Sequence, residues 1–277
     1  MTEENNSFPV PLKTDQTRKI LLIGVFLILL VLWLINTPPG LLGKSDAVGY
    51  AVCHRIPSHS FYLGDRPFSL CARCTGQYLG FLFGMAVHFF RAKKQAGFPT
   101  RPILILFVLF FLIYLIDGVN SVLHLYPGLE RWSIYEPINS LRLFSGLGIG
   151  IVLSGVLYPL LGQSVWREVS LRPALSGLMD WGLLFGGSTL LGLMILSQDP
   201  IILYPLILLS TAGLIFLVSL MYTMIWIILT KKENSFTSWW DLRWWWIAGS
   251  SSALLQIIAV DWLRFYLTGT WSGFLFY

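Results

Sequence analysis

Charge is what this 277-residue chain has least of: Asp, Glu, Lys and Arg make up 12% of it, about half the share in an ordinary soluble domain. A soluble fold of this length needs far more polar surface over its core, so that class is excluded. Also missing are the patterns of the common catalytic classes. There is no Ser-His-Asp order, HExxH, phosphate loop or dinucleotide fingerprint. No soluble domain, low-complexity segment or internal repeat stands out.

What is present is apolar. Hydrophobic residues supply 55% of the chain and aromatics 15%, and the mean hydropathy is +0.69. Residues 20–43, 143–166 and 200–230 carry no Asp, Glu, Lys or Arg. A bilayer core takes about 20 such helical residues to cross. The expected fold is therefore an all-α, polytopic membrane bundle of about seven transmembrane helices, near 20–36, 75–91, 103–123, 141–162, 177–197, 203–230 and 244–266. The fifth of these holds Asp180, and the second has the shortest apolar run. The sixth is long, with Pro205 marking an interfacial start or a kink. Residues 1–18, polar and bearing Pro9 and Pro11, are expected to be a disordered cytoplasmic tail. Residues 19–277 form one transmembrane domain, with an outer Cys/His loop at 44–75. The first apolar run is long for a signal peptide and no small-x-small site follows it, so it reads as a signal anchor.

Lys and Arg set the orientation. With the N-terminus inside, Lys13, Arg18, Lys19, Arg91, Lys93, Lys94, Arg101, Arg167, Arg172, Lys231, Lys232 and Arg243 lie on the cytoplasmic side. Lys44, Arg55, Arg66, Arg73, Arg131, Arg142 and Arg264 lie outside. The bias favours N-terminus in and C-terminus out. The net charge of +5 is scattered between apolar runs, so nucleic acid is not an expected partner. The Trp239–Trp240 and Trp244–Trp246 groups, beside Lys231, Lys232 and Arg243, read as an interfacial belt.

All three cysteines fall in one stretch, from Cys53-His54-Arg55 to Cys71-Ala72-Arg73-Cys74. Three thiolates and an imidazole are a full set for one tetrahedral zinc ion, and their softness also admits iron or copper. Cys53, His54, Cys71 and Cys74 are the expected ligands, and His59 is an alternative to His54. Pro57, Gly64 and Pro67 let the loop fold back on itself. The CxxC opens the second span, where a helix N-terminus favours thiolates. Two rivals stay open: disulfide or redox chemistry on the extracytoplasmic side, and free buried thiols that staple a loop.

Other polar groups collect at the same end. Asp117, Asn120 and His124 share a helix face, Asn139 and Arg142 open the fourth span, and Asp261 and Arg264 close the seventh. Each has a bland structural reading: an Asp261–Arg264 ion pair within a helix, an Asp117–Arg142 pair, or Asn120 and Asn139 as interhelical glue. Their common depth points to one shared polar cavity. There Arg55, Arg73, Tyr78, Asn120, Asn139 and Arg142 would bind an anionic group, and Asp117 would act as a catalytic base or orient a ligand. Asp180 belongs to the other end, and His88 reads as structural. Gly76, Gly80 and Gly84, with Gly146 and Gly150, are spaced for close helix packing.

The run Cys53-His54-Arg55, then Cys71-Ala72-Arg73-Cys74-Thr75-Gly76-x-Tyr78-x-Gly80, resembles the signature of a prokaryotic membrane-protein family, domain of unknown function (DUF) family 2085. Asp117-Gly118 and Asn139-Ser140-Leu141-Arg142 to Gly146 are similar to it as well. The resemblance covers roughly residues 45–155. His59 stands where the family tends to carry Arg, and the helices after this region are extra. The resemblance implies a membrane protein and a site at these residues, and brings no activity with it. Three functions follow from the residues: a multi-pass cell-membrane protein with an outward-facing zinc centre that binds or acts on an anionic or lipid-linked substrate; a membrane thiol–disulfide redox protein using Cys71, Cys74 and Cys53; or a transporter or lipid-binding protein with a structural Cys staple.

Overall fold

Each of the seven expected apolar segments is a helix. The computed structural model describes residues 12–92 and 94–273, with side chains from Gln16 onward. Among the described residues are α1 (Leu12–Asn36), α2 (Gly40–Val52), α3 (Ala72–Arg91), α4 (Arg101–Leu125), α5 (Asn139–Val165), α6 (Leu178–Leu196), α7 (Pro200–Leu229) and α8 (Arg243–Thr268). Two minimal sheets accompany them. β1 (Tyr62–Leu63) and β2 (Arg66–Pro67) form a hairpin, and β3 (Gln95–Gly97) pairs in parallel with β4 (Ser170–Pro173). All helices except α2 and α3 are long and apolar enough to cross a membrane, six in number.

The α1 helix begins at Leu12, so residues 12–18 belong to a helix rather than to the expected tail; residues 1–11 lie outside the described residues. The α7 helix starts at Pro200, where Asp199 accepts a hydrogen bond from the Ile201 N–H at 2.9 Å, and it continues through Pro205. Pro200 takes the first helical position, where its missing N–H displaces no bond, whereas Pro205 lies inside the helix and leaves the Ile201 carbonyl without its usual i→i−4 donor.

The α2 helix is absent from the sequence expectation, which placed residues 44–52 in a loop. Thirteen residues make only about 20 Å of helix, too short for a scan tuned to membrane spans. The helix follows Pro38 and Pro39 and buries Gly43, Ala47, Val48, Gly49 and Tyr50. Its Lys44 ammonium returns to the end of α1. It donates to the carbonyls of Leu34 and Thr37 and to the Thr37 hydroxyl, a cation at a helix C-terminus.

The centre of the bundle is α3, with α5, α6 and α7 packed around it. It is the least apolar of the long helices, and its neighbours shield its polar first turns. It runs alongside α5 in the same direction. Gly76 and Gly80 lie against the backbone of α5, and Gly146 and Gly150 lie against that of α3. A Cβ at any of the four would strike the partner's main chain, so the glycine spacing works as expected from the sequence. At the far end Gln163 donates to the Ala96 carbonyl at 2.6 Å, which ties the end of α5 to the strand that follows α3.

The chain order leaves one end of the bundle holding the C-termini of α2, α4 and α8 and the N-termini of α3 and α5. The cysteines and most of the singled-out polar residues are there.

Candidate metal centre

The C-terminus of α2 ends at Cys53, and Cys71 is the N-cap of α3. Between them the loop turns through a 3-10 segment (Pro57–His59) and the β1–β2 hairpin. Gly64 takes positive φ in the two-residue turn that lets the hairpin close. This fold-back brings Cys53, Cys71 and Cys74 together. Their Sγ atoms all lie within 4.8 Å of one another, and all three are free thiols. A tetrahedral zinc ion with Zn–S bonds of 2.3 Å needs sulfurs about 3.8 Å apart, so the three thiols fit a metal with a contraction of about 1 Å or less. Cys53 and Cys71 are buried within an apolar shell that includes Trp33, Val48, Leu70, Leu214 and Ile257.

The Cys53 sulfur also accepts the backbone N–H of Cys71 at 3.3 Å and of Arg55 at 3.4 Å. Hydrogen bonds from the neighbouring Cys71 and Cys74 thiols outweigh burial and hold its pKa well below the ordinary thiol value, while Cys71 is pushed up by donating to it.

His54, expected as the fourth ligand, stands outside this group of converging ligand atoms. Its Nδ1 accepts the Ile56 N–H at 3.0 Å. In a neutral imidazole that puts the proton on Nε2, which leaves neither nitrogen ready to bind a metal. His59 packs edge-on against it, with ring centroids 5.4 Å apart. Burial, followed by the facing cation of Arg142, lowers His59 to about 4, and burial lowers His54 also. The ligand atoms that converge closely enough to hold a metal ion are thus the three sulfurs.

The expected polar cavity resolves into paired groups. Arg55 is bound to Asp46 at 3.0 Å and donates to the Trp271 carbonyl at 3.0 Å. Arg66 also pairs with Asp46. Asp117 pairs with Arg73 and not with Arg142: Arg73 donates to Oδ2 from Nε at 2.9 Å and from Nη2 at 2.5 Å. Tyr135 and Ser145 hydroxyls donate to the same carboxylate at 2.9 and 3.1 Å. These four donated hydrogen bonds make Asp117 the counter-ion of Arg73. Tyr135 is itself raised to about 12 by burial and by this bond to Asp117.

Asn120 is fully engaged in holding the loop before α5. Its Oδ1 accepts from Ser133, Ile134 and Tyr135, and its Nδ2 donates to the Tyr135 carbonyl. Asn139 bridges the Cys/His loop to α5, donating to the Ser58 and Ser60 carbonyls at 3.2 Å and accepting from Arg142 Nη1 at 2.8 Å. Tyr78 lies half-buried between the apolar shell of the cysteines and the cluster further down the bundle. Arg142 is 4% exposed, and its other hydrogen bond goes to Ser121 at 3.4 Å. Among the described residues no carboxylate reaches it within ion-pair distance. In front of Asn139 opens a cavity of about 490 Å³, lined also by Pro57, Ser58, Ser60, Phe61 and Gln198.

Arg264 does not act as the partner of Asp261 in the way the helical spacing suggests. It donates to the carbonyls of Tyr50 and Cys53 at 2.6 and 2.7 Å and lies 4.0 Å over the Tyr50 ring. It thereby caps α2 and fixes the residue that carries the first thiol. The carboxylate oxygens of Asp261 accept no hydrogen bond among the described residues. At the other end Asp180 pairs with Arg91 at 2.7 Å, and His88 Nδ1 meets the Gly84 carbonyl at 2.7 Å. Asp180 thus lies away from the cysteine end, as expected, and the His88 ring is engaged with its own helix. Asp46, Tyr135 and Trp271 are contributors that sequence reasoning missed. Nothing in their spacing announces them.

The chain is similar to an uncharacterized protein, MJ1492, of Methanocaldococcus jannaschii: 25% identical over 123 residues, which is 44% of this chain and 71% of that protein. No solved structure matches the chain. The segment that folds the three thiols together and packs α3 on α5, residues 53–156, matches the family described as predicted membrane protein (DUF2085).

Proposed function

We propose that Cys53, Cys71 and Cys74 hold one metal ion, zinc by the chemistry of the donors, on the extracytoplasmic face of a seven-span protein. Beside it, Arg142 binds the anionic group of a lipid-linked or otherwise anionic substrate. The observation that carries this reading is the convergence of three free thiols from two sides of a folded loop. A three-sulfur site with its fourth position open is the arrangement of a zinc centre that can take water or a substrate. Zinc in such a position would supply Lewis-acid polarisation or a water of lowered pKa.

Arg142 is favoured as the anion site because Arg55 and Arg73 already have carboxylates. A buried cation without one gains from an incoming anion, and Asn139, which lines the neighbouring cavity, accepts a hydrogen bond from its guanidinium. Seven spans follow if α3 crosses with α5, beside which it runs from end to end. That count, with the Lys and Arg bias, supports an outward-facing cysteine end.

The test is metal analysis of the detergent-purified full chain and of Cys74→Ala, with thiols counted before and after reduction. About one zinc per chain, lost in the variant, is expected. Unchanged metal content in Cys74→Ala would sink the ligand assignment. Absence of metal, with two thiols appearing only after reduction, would transfer the site to the redox reading, which the depressed Cys53 thiol favours.

A further inference from the structure

A second, wider cavity lies at the end of the bundle away from the cysteines. It is a groove of about 730 Å³ between α3, α5, α7 and α8. Along α3 it runs from Leu82 to Phe90, about 12 Å of helix, most of the roughly 15 Å depth of one leaflet's hydrocarbon. Its walls are apolar and aromatic, and they include Trp239, Trp240 and Trp246.

One lining residue breaks the pattern. Arg243 opens α8, whose Leu242 N-cap contributes no side-chain hydrogen bond. Its Nη1 donates to the Trp240 carbonyl and its guanidinium lies over the Trp244 ring, 5.5 Å from the centroid. Among the described residues it has no acidic partner. The nearest carboxylate in sequence, Asp241, is turned away to Thr237 and Ser238. The mouth of the groove thus combines a guanidinium with free donors, the positive end of a helix dipole and a band of indoles, and the slot below it is apolar. Lys231 and Lys232 add positive charge, exposed, at the same end.

We propose that this groove is a specific site for one acyl chain of an anionic membrane phospholipid, with the phosphate at Arg243. The charge at the mouth selects the headgroup, and the depth of the slot fits a chain that descends parallel to the helices. The site is independent of the metal centre and of any reaction there.

The indoles that line the groove serve as the reporter. The full chain is placed in phosphatidylcholine vesicles in which either phosphatidylglycerol or a matched fraction of phosphatidylcholine carries brominated acyl chains, and tryptophan quenching is followed. Binding at the site predicts about a fivefold preference for the anionic lipid, falling as salt is raised because Arg243 is exposed. Arg243→Gln should abolish the preference, and Ala86→Phe, which fills the groove, should abolish the quenching of the site without altering headgroup charge. Equal quenching by the two lipids in the wild-type protein would overturn the proposal, as would a preference that survives both substitutions. The wild-type comparison and its salt dependence decide the matter even if a variant fails to fold.

Discussion

Truncating Asp117 to Ala should destabilise the bundle more than any other polar substitution at the cysteine end. The carboxylate is 1% exposed and receives Arg73 twice, with Tyr135 and Ser145. Without it, Arg73 keeps the Ser121 hydroxyl, the carbonyl of residue 117 and the face of the Tyr114 ring, with Arg142 as a neighbouring like charge. Breaking a buried ion pair from one side costs about 3–5 kcal/mol. Arg73 retains 16% side-chain exposure, so partial hydration places the expected loss at the low end, about 3 kcal/mol. Removing both members leaves no orphaned charge, so Asp117→Ala with Arg73→Ala should cost less than the sum of the singles by about 2 kcal/mol. Equilibrium unfolding by sodium dodecyl sulfate in mixed micelles, followed by circular dichroism, gives all three values. Single costs that add to within about 0.5 kcal/mol would refute the claim that the two side chains act as a unit.

The Tyr135 hydroxyl ionises near 12 in the folded chain and near 10 when unfolded. Its contribution to stability is therefore complete below pH 10 and is lost as pH rises from 10 to 12, a loss that Tyr135→Phe should lack in paired unfolding curves. Gly150→Ala forces a Cβ into the main chain of α3 and should cost at least about 1–3 kcal/mol. Gly182→Ala meets open space in the same assay and should change stability by less than about 1 kcal/mol, in the stabilising direction. Arg264→Lys keeps the charge but loses the planar stack on Tyr50 and the forked donors to the α2 end. Faster alkylation of Cys53, measured by mass spectrometry, is the expected outcome, and an unchanged rate would remove Arg264 from the support of the thiols.

Periodicity and hydropathy gave away the helices that face lipid, because burial in hydrocarbon demands an unbroken apolar run. They were silent on α2, whose thirteen residues answer to neighbouring helices and not to the bilayer. The three thiols were legible because Cys is rare in this chain and a CxxC followed a fold-back loop. The partner choices were not. Whether Asp117 meets Arg73 or Arg142 depends on how α3, α4 and α5 pack, which one-dimensional spacing does not encode. His54 shows the same limit. Its adjacency to Cys53 suggested a ligand, and the local backbone bond from Ile56 to Nδ1 took it out of the set. Arg264 was visible as a polar residue near a helix end, but its role as a cap on α2 required α2 to exist.

The placement of α3 at the centre has a consequence for biogenesis. During synthesis it emerges with Arg73, Gln77 and three bare glycine faces and without the helices that later cover them. Lipid cannot satisfy those groups. The counter-charge for Arg73 arrives with α4, and the glycine groove closes only when α5 follows. If α3 crosses the membrane, it is expected to settle there only in the company of α4 and α5, after the ribosome has moved well past it.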